Sequence, residues 1–256
     1  MTTDPLQVWL DRDGGLLRLR LSRPKANIID AEMISALGAA LEEHSGNTRI
    51  AAVLLDAEGP HFSFGASVAE HLPDQCADML RALHGLVLQM LAYAAPILVA
   101  VRGQCLGGGL EVACAGSQIF VHADAWLGQP EIKLAVFAPA ASCLLPERIG
   151  QNRAEELLLS GRSISGEEAY RVGLANSVDE DPQAAALAWF DQYLAAASAS
   201  SVRFAMGAVR LGLAERIKAK LEAVEALYLD GLMSTHDAEE GLNAFIEKRP
   251  ATWRYN

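Results

Sequence analysis

The chain lacks the features that mark several large functional classes. Its 256 residues contain neither a G-x-G-x-x-G dinucleotide fingerprint with an acidic partner nor the Gly-Lys-Ser/Thr of an ATP phosphate loop. No stretch approaches the roughly 20 apolar residues of a membrane-spanning helix. Residues 1–5 lack the basic and apolar regions of a signal peptide. We therefore expect a cytoplasmic protein that does not interact with membranes.

Positive charge and cysteine are also scarce. Lys and Arg number 21 against 32 Asp and Glu, and the resulting net charge of −11 argues against nucleic acid as a partner. The four cysteines have no CxxC spacing and no histidine at ligand distance in the sequence, which predicts buried free thiols and no metal site. They are Cys76, Cys105, Cys114 and Cys143.

Apolar residues, by contrast, make up 51% of the chain, enough for a sizeable core. Over the first two-thirds, short apolar runs alternate with longer helical patterns, which predicts an α/β fold with a mainly parallel sheet. Residues 17–21 alternate apolar and polar side chains, as a half-exposed strand does. Further strands are predicted within residues 50–56, 96–101 and 118–122, and helices over residues 30–44, capped by Asp30, and 74–93.

From Gln151 onward the sequence reads as nearly all helical. Ile217, Leu221, Val224 and Tyr228 keep one helix face apolar at spacings of four, three and four. No linker separates this part from the rest. We predict a core domain over residues 1–195 and a helical C-terminal region over residues 196–256.

The most informative local feature is Gly-Gly-Gly-Leu-Glu at residues 107–111. A helix that begins at these glycines presents unpaired backbone N–H groups and the positive end of its dipole, which suit a developing oxyanion. Glu111 lies on its first turn, and Glu131 follows Gly-Gln-Pro at 128–130. Two nearby carboxylates could handle water and a proton. Together they suggest acyl-thioester chemistry through an enolate.

Each of these residues also has a simpler structural explanation. Glu111 could merely complement the helix dipole, and Glu131 could be a surface residue at a helix start. The Phe-Ser-Phe-Gly-Ala turn at 62–66 could be only a tight turn, although His61 beside it is a candidate general base. The combination of features, rather than any single residue, favours a catalytic site.

Five motifs resemble those of the crotonase (enoyl-CoA hydratase/isomerase) superfamily in order and spacing. They are Leu-Ser-Arg-Pro-Lys-Ala-Asn at 21–27, the turn at 62–66, the glycine segment at 107–111, Gly-Gln-Pro-Glu at 128–131 and Gly-Leu-Ala at 173–175. The resemblance implies a spiral of ββα turns followed by a helical C-terminal trimerisation region. It also implies a homotrimer or a dimer of trimers.

The resemblance further implies a role for each matching residue. The N–H groups of Ala66 and Gly108 would form the oxyanion hole, and Glu111 and Glu131 would be the two catalytic glutamates, whose joint retention favours hydration. Coenzyme A would be part of the substrate, with no separate cofactor, and its phosphates would lie near Arg23, Lys25, Lys248 or Arg249. The remaining implied substrate contacts are Lys25, Ala26, Phe64, Gly65, Ser67, Gly107, Pro130, Phe137 and Pro139.

Two segments depart from the common pattern of this superfamily. Residues 67–73 replace the usual Asp and Lys, and residues 136–143 replace a glycine-rich loop that borders the acyl pocket. Both resemble the branch that hydrates cyclic dienoyl-CoA thioesters in anaerobic aromatic degradation. The resulting prediction is such a hydratase. Alternatives are a general enoyl-CoA or cyclohexenoyl-CoA hydratase, an enoyl-CoA isomerase, and a non-enzymatic RNA-binding or structural protein.

Overall fold

The computed structural model describes residues 4–256, and within them nine strands and ten α-helices. The strands are β1 (Leu6–Asp11), β2 (Leu16–Leu21), β3 (Ala52–Ala57), β4 (Ile97–Val101), β5 (Gln104–Leu106), β6 (Gln118–Val121), β7 (Trp126–Gly128), β8 (Ser163–Ser165) and β9 (Ser177–Val178). The helices are α1 (Ala31–His44), α2 (Pro73–Ala92), α3 (Gly108–Ala115), α4 (Pro139–Ile149), α5 (Gln151–Ser160), α6 (Gly166–Arg171), α7 (Pro182–Tyr193), α8 (Ala199–Val209), α9 (Leu213–Ala226) and α10 (His236–Ile246).

Two sheets organise these elements. The larger has the order β1-β2-β3-β4-β6-β9, and every pair in it is parallel except β1 with β2. The smaller has the order β5-β7-β8. The predicted α/β class and mainly parallel sheet are thus confirmed. The prediction of a nearly all-helical chain after Gln151 is confirmed by α5 to α10. The exceptions are β8 and β9, which are too short to leave a sequence pattern.

Strand β2 differs from its predicted half-exposed character. Only Arg20 in it is not buried, and Arg18 is 3% exposed. The Arg18 guanidinium lies 2.7 Å from Asp56 on the neighbouring strand and 4.9 Å from the centroid of the Trp9 ring. An arginine that is paired and stacked in this way can be buried, so the alternating pattern indicated the wrong exposure.

The core joins the sheet to helices from both ends of the chain. Asp30 caps α1 by accepting a hydrogen bond from the Met33 backbone N–H, as predicted. Ile217 and Leu221 of α9 are buried in the same apolar cluster as the main sheet. All four cysteines are buried free thiols, as predicted. The division of the chain at residue 195 stays a prediction.

Helix α3 is the element that places the site. Every residue in it is buried, and the preceding Gly107 has φ +48°, a left-handed conformation that favours glycine. At its other end, Arg148 Nε donates to the Cys114 carbonyl at 2.7 Å, and Arg210 donates to Gly116 at 3.0 Å. Both ends of this short helix are therefore held in place.

No helix in residues 4–256 is long and apolar enough to cross a membrane.

Candidate active site

Glu111 projects from the first turn of α3 and is only 3% exposed. Its Oε1 accepts a hydrogen bond of 2.8 Å from the backbone N–H of Ala141, in the first turn of α4. A buried carboxylate held only by backbone donors of α4 keeps lone pairs free for another partner. Glu111 is therefore fixed in position yet able to take part in chemistry.

Glu131 reaches the same place from the 3₁₀-helix Pro130–Leu134. Its Oε1 lies so close to Gly107 that a Cβ added there would be 2.6 Å from it. The buried Gln129 amide faces this carboxylate. In the orientation that satisfies both groups, Gln129 Nε2 donates to the two oxygens at 3.0 and 3.1 Å. Glycine at 107 and the Gln129 amide thus define the position of the carboxylate.

Ala66 and Gly108 bring two backbone N–H groups together beside these carboxylates. A Cβ added to Gly108 would lie 3.1 Å from the Ala66 nitrogen, so the two backbones nearly touch. Gly65 allows this approach with φ +108°. Among residues 4–256, neither N–H has a hydrogen-bond acceptor. Two unpaired donors at one point, one of them at a helix N-terminus, are the arrangement that stabilises an oxyanion.

These groups border one cavity of about 70 Å³. It brings together most of the residues that the sequence indicated, namely Phe64, Gly65, Ala66, Gly107, Gly108, Glu111, Pro130, Glu131, Phe137 and Pro139. Lys25, Ala26 and Ser67 do not line it. Ala26 lies next to the site, since its carbonyl accepts from the Phe64 N–H at 2.9 Å, and Lys25 is exposed beside it.

The cavity shifts the proton affinities of both glutamates. Burial, with the charge of Glu111 as a smaller cause, raises the pKa of Glu131 to about 8. Burial also raises the pKa of Glu111, but the Ala141 N–H and the positive charge of His84 oppose that rise. At neutral pH a pKa of about 8 keeps Glu131 protonated, whereas the ionised form of Glu111 has the Ala141 N–H and His84 to stabilise it.

Sequence reasoning missed several residues of the site. His71, Leu80 and Leu83, on the 3₁₀-turn before α2 and on α2 itself, line the cavity, and Leu242 of α10 closes it from the C-terminal region. Leucines on an amphipathic helix carry no signal that separates a pocket wall from the core. His71 lies within the unusual segment 67–73, which was the available signal.

His61, the candidate general base, does not line the cavity. Its Nδ1 accepts a hydrogen bond of 3.1 Å from the Gln104 N–H, and its ring packs edge-on against Phe64 at 4.9 Å between centroids. It therefore supports the turn that carries Ala66. This position does not support the prediction that His61 is a catalytic base.

Two of the four basic residues suggested for the phosphates already have carboxylate partners. Arg23 pairs with Asp30, and Arg249 pairs with Glu240 at 2.6 Å. Lys25 and Lys248 form no ion pair within residues 4–256 and are exposed. They are the basic residues that remain available to an anionic group.

Comparison with known proteins agrees with this geometry. The sequence matches the enoyl-CoA hydratase/isomerase family over residues 11–256. It is 65% identical over 251 residues to a cyclohexa-1,5-dienecarbonyl-CoA hydratase of Thauera aromatica, covering 98% of this chain and 97% of that protein.

Solved structures give the same result for the fold. An enoyl-CoA hydratase/isomerase from Pseudoalteromonas atlantica superposes with a TM-score of 0.84 at 27% identity, covering 97% of this chain and 99% of that one. An enoyl-CoA hydratase from Bacillus halodurans, at 21% identity, has a TM-score of 0.86 and shares the fold over 94% of this chain and 99% of that one.

Proposed function

The chain belongs to the enoyl-CoA hydratase/isomerase family, and we propose that it hydrates cyclohexa-1,5-diene-1-carbonyl-CoA, a thioester of anaerobic aromatic (benzoyl-CoA) degradation. One observation carries the proposal: two carboxylates share an apolar-walled cavity with a pair of unpaired backbone N–H groups. The high identity to the Thauera hydratase supports the cyclic dienoyl group.

The backbone N–H groups of Ala66 and Gly108 bind the thioester carbonyl oxygen. As the oxygen of water bonds to the β-carbon, the π electrons of that double bond move toward the carbonyl and form a dienolate. Negative charge grows on the oxygen that these donors face, and loss of one such donor typically lowers the rate about 100- to 1000-fold. No metal or redox cofactor enters this scheme, because the thioester itself accepts the electrons.

The two glutamates divide the proton transfers. Glu111, whose rise in pKa is opposed by the Ala141 N–H and His84, takes a proton from the attacking water. Glu131, whose pKa of about 8 keeps it protonated at neutral pH, gives its proton to the far end of the diene. The proton on Glu111 then returns to Glu131, and one water molecule has been added in total.

Coenzyme A is bound as part of the substrate, with its phosphates near Lys25 and Lys248. The protein acts in the cytoplasm as a homotrimer or a dimer of trimers. Support for assembly comes from large apolar side chains in the C-terminal region. Phe204 is 80% exposed, Val209 82% and Leu211 85%.

The test is turnover of three acyl-CoA substrates in ¹⁸O-labelled water, followed by mass spectrometry. The substrates are crotonyl-CoA, cyclohex-1-ene-1-carbonyl-CoA and cyclohexa-1,5-diene-1-carbonyl-CoA. We expect label incorporation with the diene and little with the other two. The protein with Glu111→Gln and Glu131→Gln combined is the control and should incorporate none.

Other outcomes would replace the proposal. Rapid hydration of crotonyl-CoA or of the cyclohexenoyl thioester would identify the protein as a general enoyl-CoA hydratase or a cyclohexenoyl-CoA hydratase. Movement of a double bond without label would identify an isomerase. Absence of both reactions would contradict an enzymatic role and would favour a structural or RNA-binding protein.

A further inference from the structure

Three polar side chains line the cavity, and the reaction described above uses only two of them. Besides Glu111 and Glu131, the imidazole of His71 borders the same space, and the other lining residues are apolar or glycine. His71 ends the 3₁₀-turn Ala69–His71, which precedes α2. A polar group in the wall of so small an apolar cavity lies within reach of any acyl group bound there.

The hydrogen bonding of His71 defines which nitrogen carries the proton. Nδ1 lies 2.8 Å from the Ser67 carbonyl oxygen. A carbonyl oxygen only accepts hydrogen bonds, so Nδ1 must be the N–H. Burial lowers the pKa of His71, which keeps the ring neutral at neutral pH. In that neutral tautomer, Nε2 has a lone pair and acts as an acceptor.

Nε2 of His71 is available to a ligand. Within residues 4–256 it has no hydrogen-bond partner, and it is not sealed inside the protein. The Nε2 of His84, by contrast, is both unpartnered and fully enclosed by the protein. His71 therefore lines the cavity with a ring that is oriented by Ser67 and carries a free acceptor.

Hydration creates a need for such an acceptor. The attacking water has two O–H bonds, and the base removes only one proton. The other O–H stays with the oxygen and becomes the hydroxyl group of the product. In an apolar cavity, an O–H without an acceptor is unfavourable. Glu111 and Glu131 both carry out proton transfers during the reaction, whereas His71 offers a neutral acceptor that takes part in neither transfer.

We propose, building on the proposed function, that His71 contacts the acyl group directly. Its Nε2 accepts a hydrogen bond from the water before addition and from the β-hydroxyl group of the hydrated acyl group afterwards. His71 thereby distinguishes hydroxylated from unsubstituted rings and is a specificity-determining residue of this site.

The test uses two saturated thioesters that cannot react: cyclohexanecarbonyl-CoA and its 2-hydroxy derivative, which carries the hydroxyl on the β-carbon. Their dissociation constants are measured by calorimetry with the full-length protein. Wild type should bind the hydroxylated ring more tightly. In His71→Asn, whose amide nitrogen can still bond Ser67 but which has no acceptor at the Nε2 position, that preference should fall about 3- to 10-fold.

His71→Gln is the matched variant, because its side-chain oxygen can reach the Nε2 position, and it should keep most of the preference. His44→Gln, at the remote end of α1, controls for loss of an imidazole. If His71→Asn does not fold, as judged by circular dichroism, His71→Leu replaces it. An unchanged preference in the variant without an acceptor, or no preference in wild type, would overturn the role of His71. If wild type binds neither thioester, the proposed function itself fails.

Discussion

Glu111 and Glu131 face one small cavity, so the charge of either carboxylate changes the proton affinity of the other. Their surroundings differ in the donors that stabilise the ionised form. Glu111 receives a backbone N–H from α4 and lies near His84, whereas Glu131 receives the Gln129 amide and burial with the charge of Glu111 raises its pKa to about 8. The residues around each carboxylate therefore support the proposed assignment of Glu111 as base and Glu131 as acid, which the sequence alone left open.

The first prediction concerns pH. Glu131 must be protonated to act as an acid, so kcat/KM should fall as pH rises through about 8, the pKa of that group. In Glu131→Gln this alkaline decline should disappear, and the remaining rate should be lower by about 100- to 10,000-fold, the usual contribution of a general acid. A pH profile of kcat/KM for both proteins provides the measurement. An alkaline decline that persists in the variant would contradict the assignment.

A second prediction concerns His84, whose Nδ1 pairs with Glu225 on α9. The positive charge of His84 lowers the pKa of Glu111. Glu111 must be ionised to act as a base, so activity is lost as pH falls through its pKa. In His84→Gln that pKa rises, and the acidic decline of kcat/KM should move to higher pH.

His44→Gln serves as the control for His84→Gln, and its acidic decline should stay in place. Glu131, Cys114, Cys143 and Tyr228 also lie near Glu111, since the charge of Glu111 contributes to the raised pKa of each. Their own titrations lie at higher pH because burial raises their pKa values. An acidic decline that does not move in His84→Gln would show that His84 has only a packing role.

At the scale of elements, the site depends on how α3 begins. The helix supplies Glu111 and the Gly108 N–H, and the left-handed Gly107 before it leaves room for the Glu131 carboxylate. Three functional groups thus meet at one helix N-terminus. Their relative positions depend on a single backbone conformation.

The third prediction follows from this geometry. In Gly107→Ala, the new Cβ would lie 2.6 Å from Glu131 Oε1 and would push the carboxylate away. We expect kcat to fall about 100-fold, the effect of a misplacement of roughly 1 Å. Gly173→Ala is the matched control, since Gly173 also has positive φ, +84°, but its added Cβ meets nothing within 4 Å. Steady-state kinetics and melting temperatures of both variants separate displacement from strain. Equal kcat losses in the two would contradict the prediction.

The elements also show where sequence patterns succeed. Helices α1 and α2 and strands β3, β4 and β6 were predicted nearly to their ends, because each has a long apolar pattern bounded by a cap, glycine or proline. Five strands were missed, namely β1, β5, β7, β8 and β9. All of them except β1 have only two or three residues, which cannot show a period. Strand β2 was predicted with the wrong exposure because Arg18 is buried by an ion pair with Asp56 of β3, a strand that is adjacent in the sheet but remote in the sequence.

At the scale of the whole molecule, the C-terminal region leaves apolar surface uncovered. Phe204, Val209 and Leu211 are at least four-fifths exposed, although Ile217 and Leu221 of the next helix are buried in the main core. One face of this region thus belongs to the protein interior. The other face is suited to contact between subunits.

The fourth prediction tests that assembly. The combined substitutions Phe204→Glu and Leu211→Glu would place charge in the proposed subunit interface. They should convert the proposed trimer or hexamer into monomers. Light scattering coupled to size-exclusion chromatography measures the mass. Tyr170→Glu, at an apolar side chain that is 53% exposed on α6, should leave the assembly unchanged. A wild-type protein that is already monomeric would contradict the prediction.

The sequence by itself determined the fold class, the family and the pair of glutamates, because glycine-hinged turns and apolar periods are local properties that short segments retain. It also indicated, through the unusual segments 67–73 and 136–143, that the acyl pocket differs from the common pattern. Only the tertiary structure decided that His71 enters the cavity while His61 does not, and that His84 lies near Glu111. Proton affinities and pocket walls depend on which distant residues are brought together and how deeply they are buried, and no local pattern encodes that.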